Sequence, residues 1–506
     1  MNALITAPTQ DALDFCARDH QLFIDGQWRD PGSDRLIEVE NPATEAIIAR
    51  LRSASHADLD AAVAAARAAL DGPWGRMTPA DRGKLLIKLA DLMEADTLLL
   101  GQLSTLENGM PLWVSLDKMA LLCPDIIRYY AGWTTKITGE TLPAVPVRGE
   151  ANDWLVYTLR QPIGVVGCII PWNAPASMIT LKSAPALAAG CTVVMKPAEL
   201  TPLLAVRFTE LVEQAGFPPG VFNLVQGYGD DIGSAIACHP GIDKVAFTGS
   251  TAVGKAIVRA AADDLKRVSL ELGGKSPFIV CADADLDQAA PAAAVACFSL
   301  TGQNCMAGTR LFVDESIAEE FGARLIAAAK TFTIGDGFDP GVMLGPLISA
   351  RQLDRVKGFI EETDRAGAKR LFGGGIPDRK GHFVEPTIFG DVTPDMRIAR
   401  EEVFGPVLAV QHFRQEDEAE LLSRVNGTVY GLSGSVWTRD ISRALRLAAR
   451  VDSGQVGINV HAAISAETPF GGNKQSGWGR EFGREGLDAY LKTKAISVNL
   501  GPPPPG

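Results

Sequence analysis

Two short runs offer a nucleophile and a base. Gly302-Gln303-Asn304-Cys305 sets a thiol beside flexible backbone, and Glu271-Leu272-Gly273-Gly274 closes an apolar stretch on a carboxylate. A thiolate adds to a carbonyl carbon, and a nearby carboxylate activates water to cleave the resulting thioester. If the fold joins Cys305 to Glu271, the pair supports covalent catalysis. Each residue also has a plain reading. Cysteine is often a small inert hydrophobe of the core, and a glutamate that closes a strand is often ion-paired.

Three more runs share this setting, each after an apolar stretch. In Pro171-Trp172-Asn173-Ala174-Pro175 two prolines fix the backbone around Asn173. An amide held that way donates to a developing oxyanion without reorganising; the alternative is a turn asparagine. Lys196-Pro197-Ala198-Glu199 puts a cation and an acid where open α/β sheets bind ligands. An acid there accepts from ribose hydroxyls and repels a 2′-phosphate, which favours NAD over NADP; a surface ion pair is the other reading. In Phe247-Thr248-Gly249-Ser250-Thr251-Ala252-Val253-Gly254 small residues let backbone N–H groups approach a phosphate at a helix N-terminus. Its GxxxxG spacing is not the GxGxxG fingerprint, so a tight strand–helix turn stays open.

The elements that must position these runs alternate regularly. Strands are predicted at 163–170, 191–195, 221–225, 244–247 and 268–272, with helices at 178–189, 202–215, 231–238 and 252–262 between them. Such alternation predicts a parallel sheet with right-handed crossovers. The pattern resumes at Pro277–Val280, 284–300, 310–313 and 317–331 as a second α/β unit, and helices are predicted at 57–70 and Pro79–Ala95. Two strand-like segments, 154–159 and 492–500, belong to neither unit. Strands outside the main sheets pair across subunits or form edge hairpins, so an oligomerisation element is one of two even readings. The tail Gly501–Gly506 is predicted to be disordered.

With 506 residues the chain is too long for one simple core and predicts two or three domains. Hydrophobic residues at 46% and charged residues at 21% describe a folded chain. The net charge of −12 argues against a nucleic-acid partner, which needs a basic face. Eight scattered cysteines without CxxC, and six histidines without HExxH, point to a reduced, cytoplasmic setting and to no metal. No uncharged apolar stretch reaches membrane-spanning length, and residues 1–16 lack a signal-peptide core.

In this order the runs resemble the aldehyde dehydrogenase superfamily, in its NAD(P)-dependent, non-acylating form. The likeness extends from Phe23-Ile24-Asp25-Gly26 to Pro469-Phe470-Gly471-Gly472-Asn473-Lys474-Gln475-Ser476-Gly477, through Glu401-Glu402-Val403-Phe404-Gly405-Pro406. The resemblance implies Cys305 as nucleophile, Asn173 and the Cys305 N–H as oxyanion hole, and Glu271 as the base that hydrolyses the thioester. It implies Lys196 and Glu199 on the adenosine ribose, Ser250 on the pyrophosphate, Glu402 on the nicotinamide ribose and Phe404 beside the ring. Ile169, Pro171 and Trp172 would line the rest of the cofactor cleft with Gly229, Phe247, Val253 and Leu272. Acylating members generally lack the glutamate, so Glu271 implies release of a free acid.

The implied fold is α/β. A Rossmann-like NAD-binding domain would span 1–137 and 161–272, and a second α/β catalytic domain 273–480. A small β oligomerisation element would span 138–160 and 481–506. The implied partners are a small-molecule aldehyde and further copies of the chain, as a homodimer or homotetramer, with no nucleic acid or membrane.

Departures from the common pattern lie near the substrate. Ala174 follows Asn173 where many members carry Phe, and Ser177 and Leu181 stand where larger or aromatic residues are common. Asn304 and Met306 flank the nucleophile, and Met178, Leu181, Ile464 and Phe470 would form an apolar wall. Small residues in place of aromatic ones enlarge a pocket, so a bulky apolar aldehyde is expected, a monoterpenoid such as geranial or an aromatic one. Refilling by neighbours is as good a reading. A semialdehyde, a betaine aldehyde or a general aliphatic aldehyde are the alternatives. A non-catalytic protein on this fold would have been signalled by loss of Cys305, Asn173 or Glu271. A plain nucleotide-binding module leaves the Cys and Glu runs unexplained.

Overall fold

The computed structural model describes residues 5–143 and 153–501. The prolines after Gly501, predicted to be disordered, and the middle of the 138–160 segment lie outside the described residues. The first sheet has eight strands in the order Gln27–Arg29, Leu22–Ile24, Phe222–Leu224, Thr192–Lys196, Val165–Ile169, Lys244–Thr248, Arg267–Glu271, Gly477–Trp478. Its five central strands are parallel. From Val165–Ile169 the chain winds outward through two strands, then returns to the other side through Lys244–Thr248. That reversal makes a switch point, where crevices open beyond the carboxyl ends of the strands. Val165–Ile169 and Thr192–Lys196 are buried along their whole length, because helices cover both faces of a parallel sheet.

The second sheet has seven strands, with Pro277–Val280 and Arg310–Asp314 side by side at its centre. A third sheet pairs Leu491–Asn499 with Trp154–Pro162 over nine registered residues, with Thr141–Leu142 on its edge. One strand crosses the division drawn at residue 273: Gly477–Trp478 pairs with Arg267–Glu271 in the first sheet.

The predicted helices at 57–70 and Pro79–Ala95 are His56–Asp71 and Pro79–Ala95. Their starts follow local chemistry. Ser55 and Asp58 exchange the two bonds of a capping box, and Thr78 accepts from the Asp81 N–H ahead of Pro79. The helix Thr97–Asn108 shows no polar stripe in sequence, because Gln102, Ser104, Thr105, Glu107 and Asn108 are all buried. Glu107 explains one of them. Its carboxylate accepts from the N–H groups of Leu203 (2.7 Å) and Leu204 (3.2 Å), the first residues of the helix Leu203–Ala215. That helix starts at Pro202, which has no side chain with which to cap it.

Candidate active site

Three strand ends of the first sheet converge on one point. Val165–Ile169 runs into Pro171–Asn173, Lys244–Thr248 into Gly249 and Ser250, and Arg267–Glu271 into Leu272 and Gly273. The Cys305 loop arrives from the second unit, after the helix Leu286–Phe298. It turns through three successive left-handed residues, Leu300 (φ 55°), Thr301 (φ 55°) and Gly302 (φ 67°). The two non-glycine positions cost about 1–3 kcal/mol each, so the surroundings must hold them. A Cβ on Gly302 would lie 2.2 Å from the Gly405 carbonyl carbon, so only glycine lets the two loops touch. Thr301 Oγ1 donates to the Gly345 carbonyl (2.9 Å), and Gln303 Oε1 accepts from the Ile348 N–H (2.9 Å). Asn173 Nδ2 donates to the Gln303 carbonyl (3.0 Å), which leaves its second amide hydrogen free beside Cys305.

His461 steadies the chain after the nucleophile, and the sequence reading missed it. Its Nε2–H donates to the Met306 carbonyl (2.9 Å), and Nδ1 accepts from Ser435 Oγ (2.9 Å). Burial holds its pKa below the ordinary value.

Glu271 is 4% exposed, and neither carboxylate oxygen has a hydrogen-bond partner among the described residues. Burial raises its pKa well above the ordinary carboxylate range, and the Glu481 charge raises it further against Lys182 and Arg480. Glu481 itself is ion-paired with the buried Lys182. Burial first, then the charges of Glu402 and Glu271, push the Cys305 thiol far above its ordinary value.

On one side of Cys305 and Glu271 lies a cleft of about 440 Å³. Pro171, Trp172, Ser250, Leu272, Glu402 and Phe404 are on its wall. Phe404 sits in left-handed backbone (φ 59°), and its ring meets Trp172 edge-on at 5.3 Å. Sequence reading passed over the residues that hold this loop. Gln352 Nε2 donates to the Phe404 carbonyl (2.7 Å), and Arg355 donates to the carbonyls of Glu402 (2.6 Å) and Val403 (3.2 Å). Both face inward from Ala350–Arg365, a helix whose charged sequence reads as plain surface.

Ser250 Oγ accepts from the Val253 N–H (3.4 Å) as the cap of the helix Thr251–Ala261. Glu402 accepts from the Gly274 N–H (3.0 Å); burial raises it to about 7, against Gly274, Lys275 and Arg355. Lys196 is buried 3.8 Å from Glu199 and donates to the Pro197 carbonyl (2.7 Å); burial lowers it to about 8. Ile169 pairs with Lys196 and Phe247 across the sheet below, and Gly229 opens the π-turn Gly229–Gly233. These six, Ile169, Lys196, Glu199, Gly229, Phe247 and Val253, are not on the wall of the cleft.

The donor set suits a dinucleotide. Thr248 Oγ1 is a buried, unpartnered polar atom on the wall. A Cβ on Gly273 would sit 2.3 Å from a Glu402 carboxylate oxygen, so glycine keeps that approach open.

On the other side lies a second cavity, of about 420 Å³. It brings together Ala174, Ser177, Met178 and Leu181 from the helix Pro175–Ala189 and its start, with Asn304, Met306, Ile464 and Phe470. Cys305, Asn173 and Glu271 are on the wall of both cavities. A thiol, an amide donor and an unpaired carboxylate thus stand where the two cavities meet.

Comparison with known proteins gives that arrangement its class. The pattern of the aldehyde dehydrogenase family matches residues 28–496, and the chain belongs to that family. Aldehyde dehydrogenase 1A1 of Gallus gallus is 47% identical over 95% of this chain and 93% of its own length. The NAD+ complex of aldehyde dehydrogenase from Bacillus cereus superimposes with a TM-score of 0.94 at 44% identity, covering 98% of this chain and 99% of that one. A betaine aldehyde dehydrogenase from Staphylococcus aureus follows with a TM-score of 0.92 at 37% identity, over 96% and 98%. The protein is an aldehyde dehydrogenase. Among the described residues no helix is long and apolar enough to cross a membrane.

Proposed function

We propose that the protein oxidises bulky apolar aldehydes, of monoterpenoid or aromatic type, to free carboxylic acids. The observation that carries the substrate class is the second cavity. Its roughly 420 Å³ is bounded mainly by apolar side chains, and Ala174 and Ser177 put small groups beside the reacting carbon. Acetaldehyde would leave most of that volume unfilled.

Cys305 releases its thiol proton to water, and Sγ adds to the aldehyde carbon. The free Asn173 amide hydrogen and the Cys305 N–H stabilise the oxyanion, pre-set by the Gln303 bond. NAD bound in the first cleft supplies the hydride acceptor. Trp172, Ser250, Leu272, Glu402 and Phe404 hold it, with Ile169, Pro171, Lys196, Glu199, Gly229, Phe247 and Val253 forming or backing the rest of its site. Glu271 then takes a proton from water, and the hydroxide cleaves the thioester. A carboxylate with no partner and a raised pKa is suited to that transfer near neutral pH. We also propose that residues 1–137 and 161–272 carry the cofactor and 273–480 the nucleophile. The segments 138–160 and 481–506 would join copies of the chain.

A betaine-aldehyde reading would need a net acid to meet the trimethylammonium. The acids on the cavity wall besides Glu271 are Asp117 and Glu481, and Lys182 neutralises Glu481. NADH formation should be measured without coenzyme A over acetaldehyde, geranial, benzaldehyde and betaine aldehyde. The expected kcat/KM is highest for geranial or benzaldehyde; a maximum at acetaldehyde or betaine aldehyde overturns the substrate reading.

A further inference from the structure

The second cavity carries one cation that an apolar aldehyde does not use. Helix Leu112–Asp117 runs into a π-turn, Lys118–Leu122, before Cys123–Ala131. Val114, Lys118 and Leu122 recur every fourth residue, and all three are on the cavity wall. The widened turn closes through the Cys123 N–H on the Lys118 carbonyl. Such turns cluster at functional sites because they re-aim side chains. Lys118 is the one cation on this wall among the described residues. No hydrogen bond or ion pair within 4.0 Å joins its ammonium to any of them, its neighbour Asp117 included.

Position along the cavity follows from exposure. Trp113, 57% exposed, marks the mouth with exposed Asp117, and Glu271, 4% exposed, marks the floor. Lys118 is half-buried and follows exposed Asp117 in the chain, both on the cavity wall. Burial lowers its pKa, with Cys123 and Asp117 opposing. A partly desolvated ammonium without a partner gains most from an anionic oxygen, which gives a charge-assisted hydrogen bond.

We propose that Lys118 is a specificity-determining residue that receives a carboxylate at the far end of the substrate. The preferred aldehydes are then those with a long or bulky apolar body and a terminal carboxylate, of ω-oxo acid type. This rests on the large-cavity reading of substrate class and refines it. Met178, Leu181, Ile464 and Phe470 contact the apolar middle of such a molecule, Cys305 takes its aldehyde end, and Lys118 its acid end.

Octanal and suberic semialdehyde, matched in length, separate the two ideas. In the unmodified enzyme the semialdehyde should have the lower KM. Lys118→Met keeps most of the length of the side chain and removes its charge. It should cut the ratio of kcat/KM for semialdehyde over octanal at least about tenfold, which is roughly 1.4 kcal/mol. The change should lie in KM rather than kcat, and Lys118→Arg should restore most of the ratio. An unchanged ratio in Lys118→Met, or no preference for the semialdehyde in the unmodified enzyme, overturns the inference and leaves the bulky-substrate reading standing. Oxidation of acetaldehyde with neither long aldehyde accepted overturns both.

Discussion

Two cavities meet at Cys305, and they are built by different means. The cofactor-side cleft takes its shape from backbone: strand ends, glycines at close approaches, and a left-handed Phe404 held by Gln352 and Arg355. The substrate-side cavity takes its shape from side chains on the helix Pro175–Ala189, the Leu112–Leu122 stretch and the 462–470 loop. A backbone-built site resists change, because moving it moves the sheet. A side-chain-built site changes one residue at a time while the sheet stays put. Substrate preference can therefore drift on one side while hydride chemistry is kept on the other.

The sharpest test of that division is Cys305, one of the residues both cavities share. Cys305→Ala should lower aldehyde oxidation by at least about 10⁴-fold, with NADH binding by fluorescence unchanged. Loss of NADH binding would mean that the two cavities are not separable at their junction.

Glu271→Gln should come next, with steady-state turnover down about 10²–10⁴-fold. Its signature is kinetic: a burst of one NADH per site survives, because thiol addition and hydride transfer precede hydrolysis. The pH dependence has a worked sign. Glu271 must be ionised to act, and its pKa is raised by burial and Glu481, so hydrolysis rises with pH above the range of a free carboxyl. The Glu271 charge also raises the Cys305 thiol, so the burst in Glu271→Gln should shift to lower pH. A burst profile that does not move would break the electrostatic link between the two groups.

What the sequence revealed follows the same division. Strands such as 244–247 and 268–272, found as Lys244–Thr248 and Arg267–Glu271, are short apolar runs between glycines and helix caps. The residues at their ends, Asn173, Ser250 and Glu271, lie next to them in sequence, so reading the strand reads the site. Gln352, Arg355 and His461 were not readable. Each acts by bonding to a carbonyl between about fifty and a hundred and fifty residues away in sequence. Lys118 escaped for another reason: a π-turn has no sequence period, and a lysine on a helix reads as solvated surface.

Glu402→Gln tests the backbone-built side alone. Removing a charged acceptor should weaken NADH binding roughly 30-fold, with aldehyde KM little changed. Burial raises Glu402 to about 7, so its charge is present above that pH and lost below it. In the unmodified enzyme NADH affinity should therefore fall as pH drops through about 7, and the dependence should flatten in Glu402→Gln. The same pH dependence in both proteins would remove Glu402 from the cofactor site.

The smallest effect is expected from Ala174→Phe, and it bears most directly on how freely the side-chain-built cavity can change. Ala174 precedes the first turn of the helix Pro175–Ala189 at φ −153° and ψ 60°, outside the left-handed region that favours glycine. The substitution therefore adds a ring to the cavity without straining the turn that holds Asn173. The Gln303 carbonyl still receives the Asn173 amide, so the oxyanion donors keep their places. Turnover of acetaldehyde should change little. Geranial and benzaldehyde should lose roughly tenfold in kcat/KM, through KM. An equal loss for all three would mean that the ring has moved Asn173, and that the two sides of Cys305 are mechanically joined through Pro171–Pro175.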